Sequence, residues 1–292
     1  MQKQANFMLL IITMFWGSSY LFMKMGLATI QEYNLIALRF GIAFLLAAAI
    51  FPRRLLKMDW KTLRYAFILG FILLFVFTFI MFGIKLTSTS NAAFLVSLTV
   101  IFVPVLSALV LKKRPAIQLL VGVGLALIGV GLLTLNHQLT MNIGDGLCIA
   151  GALMYATHII VTEKFTKSVD SIALGITQLG FTGVLGLLLA FCLEIPRFPA
   201  TQLEWSSVLA LSILCSAIGF IGQTVAQKHT NSTNTGLIFA LEPVFAALLA
   251  FLVFGETLSL QGLIGAILIL SGVIYPQLDN AESKTGQLGI QK

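Results

Sequence analysis

Apolar residues fall in ten long runs, at about 7–29, 33–51, 63–83, 90–111, 117–135, 143–163, 171–192, 205–226, 233–254 and 260–276. Most are about 20 residues long, which is enough for a helix to cross the hydrocarbon core of a bilayer. The breaks between them are short, the longest being the basic stretch after run two and IPRFPATQLEW after run seven. This pattern predicts an all-α integral membrane protein with ten transmembrane helices and a polar, disordered tail after Pro276. The first run continues past Trp16 to Lys24 without a small-x-small cleavage site, so it reads as a retained span rather than a signal peptide.

Charge gives the spans a direction. With the N-terminus placed in the cytoplasm, 14 of the 18 Lys and Arg residues fall at cytoplasmic ends, among them Arg53, Arg54, Lys57, Lys61 and Arg64. Only Lys85 and Arg197 fall outside, and Lys24 and Arg39 lie within spans. That bias follows the positive-inside rule and predicts a multi-pass protein of the cytoplasmic membrane with both termini inside. A net charge of +7 so distributed points to the lipid surface rather than to nucleic acid.

Composition agrees. The chain is 58% hydrophobic and 10% charged, whereas a soluble domain is about a quarter charged. Cys148, Cys192 and Cys215 all lie in apolar runs with no CxxC or Cys/His cluster, so neither a disulfide nor a metal site is expected, and no cofactor is implied.

The chain also repeats itself. At a shift of 143, Lys85 meets Lys228, Asn91 meets Asn234, Leu98 meets Leu241, Phe102 meets Phe245, Gln118 meets Gln261 and Gly122 meets Gly265. At a shift of 139, Trp16 meets Tyr155, Arg39 meets Gln178 and Gly41 meets Gly180. Two units follow, 1–138 and 139–278, with a polar cytoplasmic tail at 279–292. Five spans per unit is an odd number, so the copies have opposite orientations, and two inverted five-helix repeats around a central cavity are expected.

The segment LEPVFAALLAFLVFGETLSLQGLIGAILILSGVI resembles the hallmark of the EamA-type drug/metabolite transporter superfamily, as do MFWGSSYLFMK in span one and ALRF at Ala37–Phe40. NAAFLVSLTVIFVPVLSALVLKKRP is similar to the first-copy version, except that Lys112–Lys113–Arg114 stands where many relatives carry an acid after a glycine; Glu256 retains it in the second half. The resemblance covers nearly the whole chain. It implies ten helices in two inverted copies, a central cavity, and export of amino acids, other metabolites or drugs.

Few residues within the spans can carry chemistry. Glu242 and Pro243 sit side by side in the ninth run. A carboxylate at that depth is expensive and turns toward protein or water, and a helix break beside it suits a transport site. Either it accepts backbone hydrogen bonds at the break, or it lines the central cavity and takes up or releases a proton during the transport cycle. Pro104 is the break expected in the first half. Arg39, about 9 Å inside its span, either snorkels outward or faces the cavity. Lys24 either snorkels or pairs with Glu32. Trp16, Ser19, Tyr20 and Tyr155 are polar-tipped cavity candidates; His158 is either a hydrogen-bonded packing residue or a proton relay at the cavity, and the mid-span amides Gln178 and Gln223 need partners, which suits either an interhelical bond or a substrate contact in the cavity. Asn91 and Asn234 are N-caps or cavity residues. Glycine-rich spans five and ten are candidates for close packing, within the chain or between two copies.

The expected function is secondary transport, by alternating access, of a small polar metabolite such as an amino acid or a drug-like compound, with the lipid bilayer, the solute and protons as partners. The alternatives are a channel, or a polytopic membrane enzyme, which would need a nucleophile–base pair or metal cluster that the spans do not display.

Overall fold

The computed structural model describes residues 1–87, 89–111, 117–134, 142–254 and 260–289. Among them every regular element is a helix. The order is α1 (Gln2–Leu27), α2 (Glu32–Ile50), a short α3 (Pro52–Leu56), α4 (Trp60–Leu86), α5 (Thr89–Ser97), α6 (Thr99–Leu111), α7 (Ile117–Thr134), α8 (Ile143–Thr166) and α9 (Ser171–Leu193). Then follow α10 (Gln202–Ala210), a π-helical stretch (Leu211–Ile218), α11 (Gly219–Gln227), α12 (Ser232–Phe239), α13 (Glu242–Phe254) and α14 (Leu260–Gly289). Eight segments are long and apolar enough to cross a membrane, and the apolar parts of α7 and α14, Ile117–Leu132 and Leu260–Pro276, are shorter.

Burial follows helical spacing. On α1, Leu9, Ile12, Thr13, Trp16, Tyr20, Met23 and Leu27 form one buried stripe; on α2, Leu35, Ile36, Arg39, Phe40, Ala43 and Ala47 form another. These stripes recur every three or four residues and face a common core, while the opposite faces carry exposed Leu, Ile and Phe as a lipid-facing surface does.

Two expected spans are interrupted, though not both where expected. The chain turns at Leu98, between α5 and α6, and at Ala240–Leu241, between α12 and α13. Pro104 is not the first break: it lies inside α6, one and a half turns past the turn at Leu98. Pro243 occupies the second position of α13, where a missing N–H leaves no helical hydrogen bond unmade. The half-helices α6 and α13 begin at Thr99 and Glu242, which are matched positions at the 143 shift. The tail also differs from expectation: α14 continues through Pro276 to Gly289. Beyond the proline about half of its residues are good helix formers, namely Gln, Leu, Ala, Glu and Lys.

The glycines of the fifth and tenth spans are used within the chain. A Cβ on Gly122 would stand 2.6 Å from the Gly272 carbonyl oxygen, and one on Gly129 2.5 Å from that of Gly265. α7 and α14 therefore touch backbone to backbone, and any contact with a second copy would use the outer face of this pair.

The two ends of the bundle are fastened differently. At the basic end, Arg54 pairs with Asp170, the N-cap of α9, at 2.5 Å, and Ser232 N donates to Glu163 at 2.6 Å. At the opposite end, the Glu194 carboxylate caps α2 by accepting from Tyr33 N at 2.9 Å and Asn34 N at 2.8 Å. Arg197 forks onto Glu204 at 2.8 and 3.1 Å and also donates to the Thr29 carbonyl at 2.8 Å. Glu32 pairs with Lys85 at 2.7 Å, not with Lys24, which is exposed.

Candidate functional site: a central cavity with two unpaired charges

Trp16, Ser19, Tyr20, Arg39, Tyr155 and Glu242 converge on one small cavity of about 40 Å³. Met23, Val76, Phe77, Ile80, Val96 and Phe220 complete its wall. Polar groups are thus few and set among apolar and aromatic ones, as in small-molecule sites generally.

Arg39 is held from two sides. Its Nε donates to Ser216 Oγ at 2.6 Å, and its guanidinium lies 4.3 Å from the centre of the Phe77 ring. The ring face attracts the cation where water does not reach it. Nη1 has no hydrogen-bond partner, although the residue is only 1% exposed. Because a bare buried donor is costly, this atom is the clearest mark of a place for a ligand.

Glu242 opens α13, so its carboxylate lies at the positive end of a helix dipole. Tyr20 lines the cavity wall with it. α1 comes close here because residue 17 is glycine: a Cβ on Gly17 would stand 2.8 Å from Ala246 N and 3.1 Å from the Glu242 carbonyl. Thr99, the matched residue, spends its hydroxyl on the Val96 and Ala152 carbonyls, at 2.7 and 3.3 Å.

The floor is aromatic. Trp16 packs on Tyr155, Phe220 and Phe239 with ring centroids 5.9, 5.1 and 4.8 Å away. Its Nε1 donates to the Cys215 carbonyl at 2.7 Å, and Gly219 leaves room for it, since a Cβ there would lie 2.5 Å from Nε1. The partners of both Trp16 and Arg39 thus come from the π-helical stretch, whose wider turn is a frequent feature of functional sites. Sequence reasoning missed Cys215 and Ser216, because a π-turn has no clear residue signature.

The other candidates fall elsewhere. His158, Gln178 and Gln223 are buried in a separate layer toward the basic end. Asn234 is neither cap nor cavity residue: Asn231 caps α12, and the Asn234 amide ties to Asn6 at 2.8 Å and Thr230 at 3.0 Å. Asn91 lies on α5, with its side chain outside the described part of the structure; Lys112–Arg114 and Glu256 also lie outside the described residues. Among the described residues no group of His, Cys, Asp or Glu could hold a metal ion.

The family of EamA-like transporters matches residues 3–135 and again 142–275. The chain belongs to that family. Relatives span nearly its whole length. An uncharacterized transporter of Archaeoglobus fulgidus is 28% identical over 290 residues, covering 94% of this chain and 97% of that protein. A probable amino-acid metabolite efflux pump of Salmonella typhimurium is 26% identical, covering 94% of each chain. A crystal structure with 20% identity superposes with a TM-score of 0.80 over 94% of this chain and 97% of its own, which shows the same fold. This EamA-like protein is a multi-pass membrane transporter.

Proposed function

We propose that this EamA-like transporter exports a zwitterionic amino acid with an apolar side chain across the cytoplasmic membrane by alternating access. The observation that carries the reading is the pair of opposite charges, Arg39 and Glu242, in one apolar cavity with Arg39 Nη1 unpartnered. A free α-amino acid brings a carboxylate for the guanidinium fork and an ammonium for the carboxylate, and leaves its side chain to the aromatic wall. The name of the Salmonella relative supports the same class. The architecture we infer is two inverted five-span repeats with both termini cytoplasmic. The double family match, the half-helices beginning 143 residues apart, and the 14-to-2 charge bias support it.

The test is counterflow in proteoliposomes with radiolabelled L-phenylalanine. Saturable uptake into vesicles preloaded with unlabelled L-phenylalanine is expected, and uptake that rises linearly with concentration without counterflow would indicate a channel. Uptake in Arg39→Gln and Glu242→Gln equal to that of the unmodified protein would overturn the zwitterion reading.

A further inference from the structure

Beneath the aromatic floor, toward the basic end, lies a polar layer with no charged member. Thr224 Oγ1 donates to the Phe220 carbonyl at 2.6 Å, so it accepts from Gln178 Nε2 at 3.1 Å. That turns the Gln178 oxygen to His158 Nε2 at 3.0 Å, which places the imidazole proton on Nε2 and leaves Nδ1 a bare lone pair. By the same logic Gln227 Nε2 donates to the Ile159 carbonyl at 2.9 Å, its oxygen accepts from Gln223 Nε2 at 2.9 Å, and Gln223 Oε1 is left as an acceptor. His158 Nδ1, Gln223 Oε1 and Thr162 Oγ1 have no hydrogen-bond partners, and all three residues are 0% exposed.

These residues are not an arbitrary set. At the 139 shift, Ser19 meets His158, Met23 meets Thr162 and Arg39 meets Gln178. At the 143 shift, Phe77 meets Phe220 and Ile80 meets Gln223. Ser19, Met23, Arg39, Phe77 and Ile80 all line the cavity. The layer is therefore the repeat image of the cavity wall, built from the other half of the chain and placed toward the other end. The shared floor fits this relation: Trp16 and Tyr155 are images of each other, and so are Phe77 and Phe220, and all four line the cavity. In an inverted repeat, the surface that one half opens to one side of the membrane has its counterpart in the other half, opening to the other side.

We propose that the layer of His158, Thr162, Gln178 and Gln223 is the basic-end half of the solute pathway, closed in this structure. When the pathway opens toward that end, its three free oxygen and nitrogen atoms receive a hydrogen-bond donor, namely the ammonium group of the amino acid. The image of Arg39 is an amide, so this wall offers acceptors where the cavity offers a cation. The identity of the donor rests on the zwitterion reading above; the layer's place in the pathway does not.

The experiment therefore has two arms. In a background with Cys148, Cys192 and Cys215 replaced by Ser, single Thr162→Cys and Gln223→Cys variants are exposed to an impermeant methanethiosulfonate, in whole cells and in inside-out vesicles. A Lys57→Cys control identifies the basic face. Reaction of both from the basic face only is expected; protection from that face in protein that still transports overturns the pathway assignment. This arm needs no solute, so it stands even if L-phenylalanine is not carried. In the second arm, Gln223→Met and Thr162→Val are assayed for L-phenylalanine entry from each face. The half-saturation concentration from the basic face, relative to that from the other face, should rise about fivefold, the equivalent of one lost hydrogen bond. An unchanged ratio overturns the ammonium assignment.

Discussion

Arg39 and Glu242 line the same cavity, and no ion pair joins them among the described residues. Two opposite charges in a low-dielectric space attract strongly, and a protein built only for stability would let them meet or replace both. Here Arg39 is held back by Ser216 and Phe77, and Glu242 is fixed at the start of α13. Left unpaired, the two charges are available to a solute that carries both once the cavity widens.

Arg39→Lys keeps the charge and loses the fork. Lysine cannot donate at once to Ser216 and to a bound carboxylate with the same planar geometry. Its half-saturation concentration for L-phenylalanine should rise about tenfold, the equivalent of roughly 1.4 kcal/mol. Ser216→Ala leaves the fork unanchored and should give a smaller rise. Concentration-dependent counterflow in the two variants checks both, with expression level as control.

Much of this was legible in the sequence, and the reasons are specific. The spans were visible because a bilayer demands about 20 apolar residues whatever the fold. Glu242 was visible because a carboxylate in such a run is rare. The first-half break was not: it lies at Leu98, an ordinary helix former, and Pro104 is accommodated within α6. At that turn Thr99 reaches the Ala152 carbonyl of α8, a partner 53 residues away that no local pattern announces. The partners of Arg39 and Trp16 lie 177 and 199 residues away, beyond any local pattern. Gln178 and Gln223 were singled out as needing partners, but that Thr162, Thr224 and Gln227 join them depends on how α8, α9 and α11 meet.

The α7–α14 contact gives a stability prediction. Gly129→Ala places a methyl group where the Gly265 carbonyl oxygen stands at 2.5 Å, so the helices must separate. Overpacking of this kind costs about 1–3 kcal/mol. Gly124→Ala, with nothing within 4 Å of the added Cβ, should be neutral or slightly stabilising through helix propensity. Thermal unfolding of the two variants in detergent should place Gly129→Ala well below Gly124→Ala.

Asp59 gives a pH prediction at the basic end. It caps α4 by accepting from Thr62 N at 3.0 Å and from the Thr62 hydroxyl, and these bonds hold its carboxyl below the usual range. A carboxyl that is more acidic folded than unfolded adds stability at any pH above its unfolded value of about 4, and that contribution fades as pH falls through the folded value. Asp59→Asn can still cap but cannot titrate. The melting temperature of the unmodified protein should exceed that of Asp59→Asn at pH 7, and the gap should shrink as the pH is taken below 4. A gap that is constant with pH would exclude the charge as its source.

Glu242 carries the last prediction. Its carboxylate sits where a half-helix begins, in the cavity that Tyr20 and Arg39 also line. Two roles are compatible with that place. In one, Glu242 stays charged and only binds the solute's ammonium. In the other, it takes up a proton when the ammonium is absent and releases it when the solute arrives, which couples export to the proton gradient. The matched residue, Thr99, has no ionisable group and its hydroxyl is already committed, so coupling would act through the second half alone. Glu242→Gln separates the two roles, because glutamine keeps the shape and hydrogen-bonding capacity but cannot exchange a proton. With coupling, the variant still exchanges labelled for unlabelled L-phenylalanine at reduced affinity, and an imposed pH gradient no longer drives accumulation. With binding alone, accumulation falls only in proportion to the lost affinity and recovers at saturating L-phenylalanine. We expect the first outcome. Recovery of gradient-driven accumulation at saturation would show that the proton travels by another route.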